Sequence, residues 1–221
     1  MIFTKERTMK AKWMKWGLLA VMSTSILTAC QSQPKNEADT VSGASIKTPR
    51  EIIKSPVKKT DFLLGTAVAL SVYHPNTEEV ITRALEMIKD LEKRITVNAS
   101  GSEVDEVNLA AGEKPVKVSA DVYELIKLGL KYSEEFDGAF DVTVGPLTAL
   151  WHIGFDDAKK PTQEEIDAVL PLVNYKDVEL NDAEQTVFLK KKGMQLDLGG
   201  IAKGYIADKV WEYFAKEGIT T

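Results

Sequence analysis

Apolar residues recur along this chain in two rhythms, and each change of rhythm marks a change of element. Val80, Ile81, Ala84, Leu85, Ile88, Leu91 and Ile95 fall on one helical face, which predicts an amphipathic helix with Thr77 at its N-cap. Val122, Leu125, Ile126, Leu130 and Phe136 make a second such face, capped by Ser119 and stopped by Asp137-Gly138. Thr162 and Glu165 stand at capping-box spacing behind Pro161, which predicts a short helix through Val169. A last helix is predicted over 202–216. Residues 62–73 (FLLGTAVALSVY) are apolar and partly β-branched and run into His74-Pro75-Asn76, which predicts one largely buried strand with an irregularity at Gly65. Residues 178–180 and 186–189 flank a polar turn region at Asn181-Asp182 and predict a hairpin, with 194–198 a further strand. The polar stretch 98–108 reads as a loop. Strands and helices intermingle without a regular βαβ period, so the predicted class is α+β, a mixed sheet with flanking helices.

The beginning of the chain follows neither rhythm. Five basic residues before position 16 precede the uncharged run 16–29 (WGLLAVMSTSILTA), which is too short for a stop-transfer helix and right for the core of a signal peptide. It ends in Leu27-Thr28-Ala29-Cys30, which looks like a bacterial lipobox, with small residues ahead of a Cys that becomes lipidated and then the mature N-terminus. Residues 1–29 are therefore expected to be a lipoprotein signal peptide. The mature protein would be exported and held by Cys30 to the outer face of the membrane, since several acyl chains anchor far better than one. Residues 30–60 are polar and carry Pro34, Pro49 and Pro56, as a flexible linker would. Order is expected from Asp61, so 61–221 is the folded domain.

Composition narrows the chemistry. The 221 residues contain one Cys and two His, which excludes a disulfide framework and thiolate metal sites and leaves little for a His-based triad. Carboxylates, backbone and Lys remain. The formal charge of −5 includes a basic leader, so the body beyond residue 29 is nearer −9. A body that acidic is a poor partner for nucleic acid, which is bound through phosphate neutralisation.

Two segments stand out from ordinary scaffolding. In 138–151 (GAFDVTVGPLTALW), Asp141 and Thr143 interrupt an apolar stretch; they either serve a turn or serve a site, because an unpaired buried polar group costs about 1–3 kcal/mol. In 195–205 (QLDLGGIAKGY), a strand ends at Asp197-Leu198, Gly199-Gly200 turns the backbone, and a helix begins. Its unpaired N–H groups and positive dipole end suit an anion. Lys203, one turn in, can meet a phosphate; Asp197 can accept from a ribose or a ring; a carbonyl of the glycine turn can serve Mg²⁺. Alone, such a turn is most often a plain tight connection. It matches neither a Walker loop nor G-x-G-x-x-G.

Together AFDVTVGPLTALW and LDLGGIAKGY resemble the two signature stretches of the ApbE family of FAD:protein FMN transferases, and Leu64-Gly65-Thr66 resembles its N-terminal M-G-T. The resemblance runs from about Asp61 to Thr221 and implies an ApbE-like, T-fold-like flavin transferase fold. It implies Mg²⁺-dependent cleavage of FAD at its pyrophosphate. FMN is then attached to a Thr or Ser of a target flavoprotein within a D-G-x-[ST]-G-A-T type motif, and AMP is released. Carried over by position, it implies FAD contacts from Leu64, Ala139, Phe140, Asp141, Asp197 and Lys203, and a backbone oxygen of Gly200 on the metal. Leu64 stands where the family usually has Met. Val97, in Arg94-Ile95-Thr96-Val97-Asn98, stands where an aromatic residue often stacks on FAD.

The family's further half, with a metal-binding Asp and Thr and an H-x-I-x-D-P-x-T-G-like stretch, has no counterpart in these 221 residues. The expectation is therefore an N-terminal part of the fold, of low activity alone, with no catalytic residue assigned. Two other readings share the leader: a solute-binding lipoprotein, usually longer with regular strand–helix alternation, and a non-catalytic FAD carrier. His74, between a strand and Pro75, reads as a loop residue rather than a catalyst. His152, beside Trp151, either lines the FAD pocket or serves in packing or a hydrogen bond. Glu103, Asp105 and Glu106 lack the calcium-loop pattern and read as solvated charge.

Overall fold

The computed structural model describes residues 48–221. The stretch read as a signal peptide, Cys30 and the stretch read as linker up to residue 47 lie outside the described residues. Strands β1 (Val57–Leu63) and β2 (Thr66–Val72) form an antiparallel ribbon that pairs Val57 with Val72 and Leu63 with Thr66. The single strand expected over 62–73 is thus the second half of a hairpin. Its two-residue turn is Leu64-Gly65, with φ of +54° and +67°, the mirror-image geometry that follows strand twist. Leu is an unusual occupant of that left-handed region, and a hydrogen bond from its N–H to the Glu92 carboxylate at 2.7 Å holds it there. Order also begins earlier than Asp61. β1 starts inside the stretch read as linker, and the Ile53 N–H donates to the Tyr73 carbonyl at 2.8 Å.

The ribbon packs on α1 (Glu78–Ile95), in which all seven residues of the predicted face are buried. Thr77 precedes this helix without capping it; its hydroxyl donates to the His74 carbonyl at 3.0 Å. The expected loop 98–108 contains α2 (Glu103–Leu109), which starts at Ser102, whose hydroxyl accepts from the Asp105 N–H, and buries Val104 and Val107. β3 (Val116–Lys117) follows, then α3 (Ala120–Glu135). Ser119 at its start receives the Arg94 guanidinium at 2.7 Å instead of capping, and Phe136 lies just past its end, 58% exposed.

α4 (Gly145–Trp151) was not anticipated, because its Gly-Pro start reads as a break. α5 (Gln163–Val169) has the predicted capping box, with Thr162 accepting from the Glu165 N–H and Glu165 from the Thr162 N–H. β4 (Val178–Asn181) and β5 (Thr186–Leu189) are the predicted hairpin, and the sheet order is β3-β5-β4, all antiparallel. Residues 194–198 are not a ladder strand; their one β-bridge is parallel, Val144 to Gln195. α6 (Gly199–Lys216) then starts three residues earlier than predicted and takes both glycines into its first turn. Ile81, Leu125, Ile126, Leu189, Met194, Leu196 and Ile206 are fully buried where these layers meet. The mixed architecture is the α+β class expected.

His74 is wholly buried, and its role is structural. Nε2 accepts the Thr220 N–H at 3.0 Å, so the ring proton sits on Nδ1 and is donated to the Glu51 carbonyl at 2.6 Å. This joins the segment before β1 to the residues after α6, and Arg50 adds a bond from Nε to the Glu217 carbonyl at 3.0 Å.

Helices α3 and α6 are tied by Glu124, which accepts from Lys209 at 2.9 Å and from the Tyr205 hydroxyl at 3.1 Å. The Lys209 bond holds the Glu124 carboxyl below its ordinary 4.5, and the Lys191 bond likewise holds Asp177 below 3.8. Burial pushes the Tyr205 phenol up to about 12. Because both carboxylates bind protons less readily when folded, the unfolded chain takes up protons first as pH falls. Stability contributed by these pairs is complete above the ordinary carboxyl values and is lost below them. The thermal midpoint is expected to be flat near neutrality and to fall below roughly pH 4, less steeply in Glu124→Gln. An equally steep fall in that variant would show that this tie carries nothing.

Candidate functional site

The first unusual segment is a staple. Asp141 Oδ1 accepts from the Thr143 N–H at 2.8 Å and from its hydroxyl at 2.7 Å, and Oδ2 accepts from the Tyr175 N–H at 3.0 Å. Thr143, wholly buried, accepts in turn from the Asn174 N–H at 2.8 Å. Of the two readings left open by the sequence, the geometry shows the turn: both carboxylate oxygens accept from the chain itself. Ala139 beside it is exposed. Phe140 is half-buried with its ring edge against α6, where a Cβ on Gly200 would come within 3.2 Å.

The second segment is held from three sides. The Asn108 side chain, at the end of α2, accepts from the Leu196 N–H at 2.7 Å and donates to its carbonyl at 3.1 Å, standing in for a neighbouring strand. The Asp197 N–H donates to the Val142 carbonyl at 2.8 Å, and the Gly145 N–H to that of Gln195 at 3.2 Å. The Asp197 carboxylate accepts from the Gly199 N–H through Oδ1 and from the Thr148 hydroxyl through Oδ2, each at 2.8 Å. Beyond it the first turn of α6 holds no acidic residue, Leu198 at the N-cap offers no side-chain acceptor, and Lys203 is exposed one turn in. Its positive end is therefore neutralised only by Asp197.

Two clefts converge here. One of about 220 Å³ is lined by Leu64, Val97, Asp197 and Lys203, together with Gly65 and Gly199. The other, of about 760 Å³, is walled largely by apolar residues, among them Leu109, Leu147, Trp151, Ile153 and Phe155. Val97, Asn98 and Asp197 line both, so the two adjoin as one trough of a size typical for small-molecule sites. Four of the residues predicted from sequence thus come together, while Ala139, Phe140, Asp141 and Gly200 do not line the trough. His152 lines its larger arm, stacked on Phe155 with ring centroids 4.0 Å apart and bonded through Nδ1 to Asp157 at 2.6 Å. Asn108, Thr148 and Glu92 were not singled out from sequence. Thr148 lies inside a quoted motif, but nothing in its spacing pairs it with Asp197.

A hard cation asks for about six oxygens. Among the described residues no three of His, Cys, Asp and Glu converge on a common point. Gly200 lies within the first turn of α6 rather than in a turn before it, and helix carbonyls point along the axis toward the C-terminus. The described residues alone do not make a Mg²⁺ site. No helix among them is long and apolar enough to cross a membrane.

Comparison with known proteins bears on the whole of this region. The ApbE family model matches residues 64–221. The chain is 40% identical over 157 residues to the FAD:protein FMN transferase of Klebsiella pneumoniae, covering 71% of this chain and 49% of that protein. It is 33% identical over 161 residues to that of Treponema pallidum, covering 69% and 44%. The crystal structure of the ApbE protein from Thermotoga maritima superposes with a TM-score of 0.69 at 32% identity, over 74% of this chain and 54% of that one. The chain spans about half the length of the curated relatives it matches. With hairpin turn, staple and glycine helix start all inside the matched range, this chain belongs to the ApbE family.

Proposed function

We propose that this chain supplies the flavin-nucleotide-binding part of an FAD:protein FMN transferase. The observation that carries the reading is the convergence of Lys203, Asp197 and Gly199 at the start of α6 on one cleft. A diphosphate there meets one ammonium and a helix N-terminus, and Asp197 stands ready for a sugar or ring donor. In the reaction, a Thr or Ser hydroxyl of the target, in a D-G-x-[ST]-G-A-T type motif, attacks the FMN phosphorus. The P–O bond of the pyrophosphate breaks, AMP departs with its electron pair, and the hydroxyl proton passes to solvent or to the leaving phosphate. What this chain contributes is charge neutralisation and orientation of the nucleotide. Mg²⁺, when bound, supplies further neutralisation at the phosphates, and its coordination needs more ligands than the described residues offer. Export and anchoring through a lipidated Cys30 belong to the same proposal and rest on the lipobox-like LTAC at 27–30; they would put the reaction on the outer face of the membrane.

One experiment tests these points together. Membranes carrying the chain are incubated with FAD, Mg²⁺ and a substrate bearing D-G-x-T-G-A-T, and the substrate is weighed. A mass gain of one FMN unit, abolished by EDTA, is the transferase outcome. FAD retained on membranes without any gain shows nucleotide binding without transfer, which the carrier reading predicts and which this chain also gives when the remaining metal ligands are not supplied. Absence of both retention and gain overturns the flavin assignment.

A further inference from the structure

The two arms of the trough meet at Asp197, whose carboxylate is gripped from opposite sides. Gly199, at the start of α6, donates to Oδ1, and Thr148, on α4, donates to Oδ2. Thr148 has a second acceptor in reach, the Gly145 carbonyl at 3.1 Å. A hydroxyl carries one proton, so the two acceptors compete, and the charged one at 2.8 Å is the stronger. A carboxylate turns easily about its last torsion, and among the described residues these two donors hold it.

Resting on the reading of Asp197 as a nucleotide contact, we infer that Thr148 is a positioning residue. It sets the plane of the Asp197 carboxylate so that the remaining lone pairs face the trough, where they accept an N–H or O–H from the base or sugar of a dinucleotide. The ordering is done before the ligand arrives, which removes that cost from binding. Thr148 acts through Asp197, and its own hydroxyl is spent on the carboxylate.

The test is an FAD titration followed by flavin fluorescence on the full chain and four variants. Thr148→Val, which swaps the hydroxyl for a methyl of similar size, is expected to weaken binding about tenfold, the loss of one charge-assisted bond. Thr148→Ser, which keeps the hydroxyl, is expected to stay within about threefold of the starting affinity. In an Asp197→Ala background, adding Thr148→Val is expected to change nothing further, because the interaction it removes is already gone. Unaltered affinity in Thr148→Val overturns the inference while leaving the flavin site standing. So does a full tenfold loss in the Asp197→Ala background, which would mean direct contact with the ligand. Unaltered affinity in Asp197→Ala alone overturns both the inference and the reading beneath it. Thermal melts of each variant confirm that an affinity change is not a loss of fold.

Discussion

Gly145→Ala is expected to lower stability by about 3 kcal/mol, the upper part of the range for forcing atoms into a packed interior. A Cβ there would stand 2.6 Å from Cβ of Gln195, 2.7 Å from its carbonyl oxygen and 2.9 Å from its carbonyl carbon. Two of those three atoms are backbone, so no flexible side-chain end can swing away. Relief requires the α4 start to part from the 194–198 segment, which breaks the Gly145 bond to the Gln195 carbonyl and the lone parallel bridge beside it. Denaturant unfolding should show the lower midpoint at unchanged slope, and a melt a fall of roughly 10 °C. Gln195 is two residues from Asp197, so FAD affinity should drop in the same variant. A midpoint within error of the parent would show that α4 has room the geometry denies it.

Asp141→Ala should cost a comparable amount, about 3 kcal/mol. Three donors lose their acceptor, namely the N–H and hydroxyl of Thr143 and the N–H of Tyr175, and Thr143 is wholly buried. Each such orphan costs about 1–3 kcal/mol, with the sum reduced where water reaches Tyr175. Asp141→Asn is expected to fall between parent and alanine, because its amide keeps one acceptor but can turn a donor toward another donor. A loss below about 1 kcal/mol for alanine would mean that the carboxylate is not a staple and is free for a ligand.

How much of this was legible depends on how local each cause is. The buried face of α1 and the capping box of α5 are written within a single turn or two, and both stand as the spacing predicts. The hairpin turn at Leu64-Gly65 was invisible because its left-handed Leu is held by Glu92, distant in sequence. α2 and α4 were hidden for opposite reasons: the first has only two inward apolar residues among charges, and the second opens on Gly-Pro. Leu64, Val97, Asp197 and Lys203 were reached through the resemblance and do share a cleft. The partners of Asp141 and Asp197 were not reached. Tyr175 and Thr148 act across 34 and 49 residues through a main-chain N–H and a hydroxyl that any sequence offers in plenty.

The wall shared by the two clefts has a consequence for half-ligands, if the trough holds a dinucleotide as proposed. Molecules resembling either end would each occupy one cleft and forgo the other, so each should bind far more weakly than the joined molecule. Tethering converts the second docking into an intramolecular event at millimolar effective concentration. On that proposal, cutting the tether would loosen both halves at once.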